Sequence, residues 1–207
     1  TVELPPLPIR ERLQLARSLA ERDGYTLGDV DDWKPILEFS QGNPLAMQGL
    51  AQQTLRQGLE SSAQVRNFVE QLKSGAASFG GDGALGVPPH LAATIDHVMG
   101  RSFGKPEQSI IALLHLFDRA VSVPCLADMF GQEGSGHLPE VAKLKEFQEI
   151  KDDPEFSLLG RVAAFGFLAQ EGTDLYTIHE AFRWFLEKRF AEHYPDRPEP
   201  ESGRKLL

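Results

Sequence analysis

Apolar residues recur at intervals of three and four through the first part of the chain, and this period constrains the fold more than any other feature. The pattern predicts a helix over 8–23, a short helix around Trp33, a helix from Asn43 to Gly58 and a helix over 62–73. Short loops separate these segments, as they do in antiparallel bundles. Residues 1–74 are therefore expected to form a four-helix bundle.

Helical patterns return after residue 90, and the clearest β-strand signal in the chain follows them. Residues 167–170 and 175–178 have strand character, and a turn that contains Gly172 joins them. A long helix is expected over 179–193. Helices that end in a hairpin are typical of a winged helix. The predicted fold class is mainly α: a four-helix bundle, then a winged-helix domain over 90–194 with one terminal β-hairpin.

Two segments have the composition of linkers. Residues 75–89 are rich in glycine and end in two prolines, so they predict a flexible connection between the bundle and the winged helix. Their glycines at 81, 83 and 86 match a dinucleotide-binding spacing, but no strand precedes them and the required strand–helix context is missing. Residues 195–207 are rich in proline and charge and predict a linker or a disordered tail.

Charge and cysteine content narrow the class of protein. The net charge is −9, from 30 acidic and 21 basic side chains, so nucleic acid is a poor default partner. A single cysteine, Cys125, fits a reducing cytoplasm and forms no internal disulfide. No apolar stretch approaches the roughly 18–20 residues that cross a bilayer, so no membrane partner is expected. The chain begins at Thr1 without a methionine or a signal peptide, and we interpret it as a cytoplasmic piece of a longer protein.

Residues 42–47, Gly-Asn-Pro-Leu-Ala-Met, form a predicted helix start that suits a ligand. Asn43 is expected to cap the helix, and Pro44 to occupy its first position, where the missing N–H costs nothing. Gly42 lets the incoming chain approach closely. The free N–H groups of the first helical turn carry partial positive charge beside the apolar ring of Pro44, which suits an adenine or phosphate edge. An ordinary capped helix is the alternative interpretation.

His179 lies at a second predicted helix start. Thr177 and Glu180 have the spacing of a capping box, which would place His179 in the first helical turn beside unpaired backbone donors. An imidazole in that position donates to an anion while the helix dipole adds attraction. The alternative is a histidine that only packs against or caps the helix.

Two other sequence patterns resemble a phosphate loop and a zinc-protease motif, but neither is complete. Residues 100–106 are one position too short for a phosphate loop, and Pro106 stands where a Mg²⁺-ligating hydroxyl belongs. His179 is not followed by a second histidine at the spacing of a zinc protease. The sequence therefore predicts no catalytic residue and no metal site.

Four segments, which correspond to three family elements, resemble the signal-transduction ATPases with numerous domains, the STAND family, which includes NB-ARC-like and NACHT-like proteins. Residues 42–46 resemble its Gly-x-Pro-Leu-Ala element. Residues 91–96 and 107–117 resemble the opening of its winged-helix domain. Residues 176–183 resemble the segment that carries its Met-His-Asp element, with Ile178 in place of the methionine and Glu180 in place of the aspartate. The resemblance covers most of residues 1–194.

The resemblance implies the helical lid and winged helix of a nucleotide-switch ATPase, without its P-loop core. Gly42, Asn43, Pro44 and Leu45 would then contact the adenine side of a nucleotide, and His179 the β-phosphate of ADP. The expected ligands of the full-length protein are ADP and ATP with Mg²⁺, held by an upstream P-loop domain of the same chain. The resemblance also implies possible downstream helical repeats and an oligomer on activation, in an autoinhibited signalling protein. This chain alone would not hydrolyse ATP.

Two other functions compete with this interpretation. A winged helix can regulate transcription by binding DNA, but residues 155–166 offer only Arg161 to a phosphate backbone. A helical protein-interaction adaptor with no ligand is the other alternative, with a surface around Arg183, Lys188 and Arg189.

Overall fold

A computed structural model describes residues 5–59, 61–78, 87–126 and 158–195. This part of the chain is mainly helical and contains a small antiparallel sheet, so the predicted mainly α class is confirmed. The chain divides into two compact units, Thr1–Arg101 and Ser102–Leu207. None of the described helices is both long and apolar enough to cross a membrane.

The first unit contains five described helices, and the first four of them share one apolar core. They are α1 (Ile9–Arg22), α2 (Val30–Phe39), α3 (Pro44–Arg56), α4 (Ser62–Ser78) and α5 (Pro89–Ser102). Helix α1 packs against α3, and α2 packs against α4. The core side chains come from the apolar faces of the first four helices and include Trp33, Leu37, Met47, Leu50, Val65 and Leu72.

The unit boundary differs from the predicted domain boundary. The sequence places the change within residues 75–89, whereas the two units divide after Arg101. Helix α4 runs through Ser78, so the start of the predicted linker is helical, and residues 79–86 lie outside the described residues. Helix α5 belongs with the first unit because its histidines pack edge-on against that unit's aromatic rings: His90 on Phe39 and His97 on Phe68.

The second unit alternates helices and short strands. Its described elements are α6 (Lys105–Ala112), a 3-10 helix (Leu113–Leu116), β1 (Ala120–Ser122), α7 (Leu158–Ala164), β2 (Leu168–Gln170), β3 (Leu175–Ile178) and α8 (Glu180–His193). Residues 123–126 are helical. Residues 127–157 and 196–207, which include most of the predicted tail, lie outside the described residues.

The sheet has the order β1–β3–β2, with both pairs antiparallel. The predicted hairpin is present as β2 and β3, where Ala169 is opposite Thr177. Strand β1 was not expected from the sequence, and it pairs Val121 with Tyr176. Three residues are too few to produce a recognisable alternation of apolar and polar side chains, so a strand this short has no signal of its own.

A row of stacked phenylalanines connects the hairpin to α8. The Phe167 and Phe182 rings lie 4.9 Å apart between centroids with an interplanar angle of 13°, and Phe182 and Phe185 lie 5.4 Å apart. All three side chains are buried. Aromatic pairs of this kind add to the stability that burial alone provides. They anchor the first turns of α8 against the sheet, which fixes the position of the residue that precedes the helix.

Candidate functional site

The helix start at Asn43 has the predicted local structure. Asn43 is the N-cap of α3, and its side-chain oxygen accepts a hydrogen bond from the Ala46 N–H at 3.0 Å. Pro44 is the first helical residue, and its ring is exposed. The predicted cap is therefore confirmed as a feature of the fold, and the ring of Pro44 is its most accessible apolar surface.

Gly42 is required by the approach of another part of the same chain. Its φ is +80°, and a Cβ at this position would lie 2.7 Å from both the backbone N and O of Leu7. The Leu7 N–H donates to the Gly42 carbonyl at 2.9 Å. The close approach expected at this glycine is thus made by the segment that precedes α1.

Two side chains hold that arrangement together. The Arg12 guanidinium donates to the carbonyl oxygens of Leu7 and Leu37, each at 2.6 Å. The buried Ser40 hydroxyl donates to the Leu37 carbonyl at 2.9 Å. The hydrogen bonds of Arg12 and Ser40 therefore fix the backbone before Asn43, and this orients the first turn of α3.

The side chain of Leu45 is not accessible to a ligand at the start of α3. Its side chain is 6% exposed and lies within the first unit. A ligand at the start of α3 would therefore meet the exposed Pro44 ring, while the Ala46 N–H of the same turn already donates to the Asn43 side chain.

His179 is the N-cap of α8, one position earlier than the predicted first turn. Its Nδ1 accepts a hydrogen bond from the Ala181 N–H at 3.2 Å. The predicted capping box of Thr177 and Glu180 is wrong, because strand β3 continues through Ile178 and holds Thr177 opposite Ala169. Strand-like bonding extends to the histidine itself, whose N–H donates to the Phe167 carbonyl at 3.0 Å.

This cap determines where the imidazole proton lies. Because Nδ1 accepts a hydrogen bond, the neutral ring carries its proton on Nε2. The residue as a whole is exposed, but partial loss of hydration around the ring lowers the pKa of His179, and the neighbouring Glu180 carboxylate opposes that effect. His179 thus presents one N–H donor at the positive end of a 14-residue helix.

The two helix starts belong to different units, so their convergence on one ligand stays a prediction. Within the described residues, no group of three His, Cys, Asp or Glu side chains could hold a metal ion.

A cavity in the first unit was not anticipated from the sequence. It has a volume of about 560 Å³ and is lined by side chains of α2, α4 and the first turn of α5, and by Gln41, the residue before Gly42. Its lining residues are distant in sequence, so no local motif announces it. The sequence contains one indirect sign of the cavity, which is the alternation of positively and negatively charged side chains along α4.

Comparisons of this chain with protein-family models, curated protein sequences and solved structures give no match.

Proposed function

We propose that this chain is the helical lid and winged-helix part of a STAND-type nucleotide switch. In this proposal a P-loop domain elsewhere in the same cytoplasmic protein holds ADP or ATP with Mg²⁺, and the present residues sense which nucleotide is bound. The observation that carries the proposal is His179. It matches the histidine of the family element, and it offers an exposed Nε2–H donor at a helix N-terminus.

The winged-helix assignment is supported by the order of elements in the second unit. A helix, a short strand and further helical residues precede the hairpin, and the short strand pairs with the second strand of that hairpin. A last helix, α8, follows directly. The helical assignment of the lid is supported by α1–α4 and their shared core.

The apolar ring at the start of α3 and the N–H donor at the start of α8 suit the base and the phosphate of a nucleoside diphosphate. The Pro44 ring is an exposed apolar surface that suits a planar base. The Nε2–H of His179 and the dipole of α8 suit a phosphate oxygen. Exchange of ADP for ATP would change the contacts available to His179, and so shift the second unit between a docked and a released position. The chain itself contributes recognition, and hydrolysis would belong to the P-loop domain.

The test is ADP release from the full-length protein. His179→Ala removes both the donor and the cap, whereas His179→Ser keeps a capping oxygen but has no group that reaches as far. We expect both variants to release ADP faster, by about tenfold for the loss of one charge-assisted hydrogen bond. His193→Ala, near the end of the same helix, is the matched control. Unchanged ADP release in both variants would remove His179 from the mechanism, and a full-length protein without a P-loop domain would end the proposal.

The DNA-binding alternative is weakened by the position of Arg161. This side chain forms an ion pair with Glu107, and its guanidinium lies 5.4 Å from the centre of the Phe103 ring. The basic residue that α7 would offer to DNA is therefore engaged within the second unit. DNA binding that falls steeply with salt concentration would favour this alternative over the nucleotide switch.

The adaptor alternative is weakened too, because two of the basic side chains of its predicted surface are engaged in ion pairs. Arg183 pairs with Asp118 at 2.9 Å, and Arg189 pairs with Glu192 at 2.7 Å while lying over the Phe185 ring. If ADP raises the melting temperature of the full-length protein, an adaptor without a ligand is excluded.

A further inference from the structure

The cavity of the first unit has the size and the mixed lining of a small-molecule site. Its volume of about 560 Å³ falls within the roughly 300–1,000 Å³ that is usual for such sites. Three of its lining side chains, Phe39, Val69 and Pro89, form an apolar surface contributed by α2, α4 and α5. The apolar part of a ligand would lie against this surface.

The charged side chains around the cavity are not equally available. Lys73 is already paired with Glu70 at 2.8 Å. Arg66 donates to the Ser62 hydroxyl from two nitrogens, at 2.7 and 3.2 Å, and no described carboxylate pairs with it. The carboxylate of Glu38 has no hydrogen-bond or ion-pair partner in the described ranges. Within the described residues, one exposed cation on α4 and one exposed anion on α2 thus have no opposite charge paired with them.

A buried histidine adds a polar group to the same cavity. His90 lies in the first turn of α5, is 9% exposed, and its Nε2 has no partner in the part of the chain that the structure describes. Burial lowers the pKa of His90, so the ring is neutral at pH 7. An unsatisfied buried nitrogen needs an explanation, and a ligand or a water molecule would supply one.

We infer that this cavity binds a small zwitterion with an apolar body, of the chemical class of an aromatic α-amino acid. The ligand carboxylate would pair with Arg66, which lines the same cavity as His90. The ligand ammonium would pair with Glu38. The aromatic side chain would pack against Phe39 and Val69. The inference does not depend on the proposed nucleotide switch, since every group that it uses belongs to the first unit.

Three probes separate the two charges of the ligand. L-Phenylalanine carries both, 3-phenylpropionate carries the anion alone, and 2-phenylethylamine carries the cation alone. We expect L-phenylalanine to bind the whole chain in calorimetry and to raise its melting temperature. Each single-charge probe should bind about two- to fivefold more weakly, because it loses one ion pair with an exposed side chain of the cavity. Absence of binding by L-phenylalanine at millimolar concentration would overturn the inference.

Matched variants assign the two charges to residues. Arg66→Gln should abolish the preference for L-phenylalanine over 2-phenylethylamine, and Glu38→Gln the preference over 3-phenylpropionate. Arg17→Gln and Glu21→Gln, on the exposed face of α1, are the controls and should leave both preferences unchanged. Equal binding of all three probes, or equal loss in the control variants, would contradict a zwitterion site. None of these outcomes bears on ADP release, so the two proposals fail separately.

Discussion

The start of α3 and the start of α8 are both capped by a side chain, but they are held in place in different ways. Asn43 follows two residues with positive φ, Gln41 at 51° and Gly42 at 80°, and the segment before α1 packs directly on the glycine. His179 follows a paired strand and its imidazole is exposed. Backbone geometry fixes the start of α3, whereas the start of α8 presents a titratable side chain on a backbone that strand pairing holds in place.

Because of this difference, we expect substitutions at the two helix starts to change different properties: the stability of the first unit at α3 and ligand recognition by the second unit at α8. Substitutions before α3 should lower the free energy of unfolding of the first unit, because they disturb a close backbone contact. Substitutions at His179 should affect mainly what the second unit can bind. Unfolding measurements on variants of the two helix starts test that separation.

Gly42→Ala should have the largest effect on stability. The added Cβ would overlap the Leu7 backbone at 2.7 Å and would force a left-handed φ on alanine. Backbone strain and steric overlap together are expected to cost about 3 kcal/mol. The measurement is urea unfolding of the first unit, followed by Trp33 fluorescence in a Trp184→Phe background.

Gly58→Ala is the control for that measurement. Gly58 also has a positive φ, +60°, but a Cβ there would meet nothing within 4 Å. The expected cost is only the left-handed conformation, about 1 kcal/mol. Equal losses at the two glycines would show that the contact with Leu7 contributes nothing.

Asn43→Ala should have the next largest effect. It leaves the Ala46 N–H without its side-chain acceptor, which typically costs about 1 kcal/mol. Asn43→Ser should recover most of this loss, since serine is also a good N-cap. Both are measured by the same unfolding assay. If serine and alanine were equally destabilising, the side-chain oxygen would not be what stabilises this helix start.

The first unit should also lose stability in mild acid. Burial lowers the pKa of His90, and burial followed by the Arg101 charge lowers the pKa of His97, with Asp96 opposing. The unfolded chain therefore binds more protons than the folded one below an unfolded pKa of about 6.5. Stability should be fully present above pH 7 and should decrease as the pH falls through 6.5.

Double substitution of the two histidines isolates this effect. A His90→Gln, His97→Gln variant should show a flatter dependence of the urea midpoint on pH between 7.5 and 5.5. An unchanged slope would mean that other groups cause the acid sensitivity. His115→Gln is the control, because His115 lies in the second unit.

Features that depend on neighbouring residues could be predicted from the sequence, whereas features that depend on contacts between distant segments could not. The cap at Asn43 and the hairpin after Phe167 were predicted because capping residues and a glycine turn act on their immediate neighbours. The cap at His179 was misassigned because Thr177 is withdrawn from the helix by pairing with two other strands.

The unit boundary and the cavity also depend on contacts between distant segments, and neither could be predicted from the sequence. The glycine-rich composition of residues 75–89 predicts a break, but it does not reveal that α5 packs with the helices before it. Charges on α2 and α4 become neighbours of one cavity only after those two helices pack together. Contacts of this kind carry no signal within a short window of sequence.

The smallest expected effect lies at the start of α8. His179→Ser should change the free energy of unfolding by less than about 0.5 kcal/mol, because the hydroxyl takes over the cap of the Ala181 N–H. The informative difference is in pH dependence. Protonation of His179 removes the Nδ1 lone pair, so the wild-type Ala181 amide should exchange hydrogen faster as the pH falls below the lowered pKa, after correction for intrinsic exchange. The serine variant should show no such change. If both amides responded to pH alike, His179 would not be the cap, and its Nε2 would lose the fixed proton on which its proposed contact with a phosphate depends.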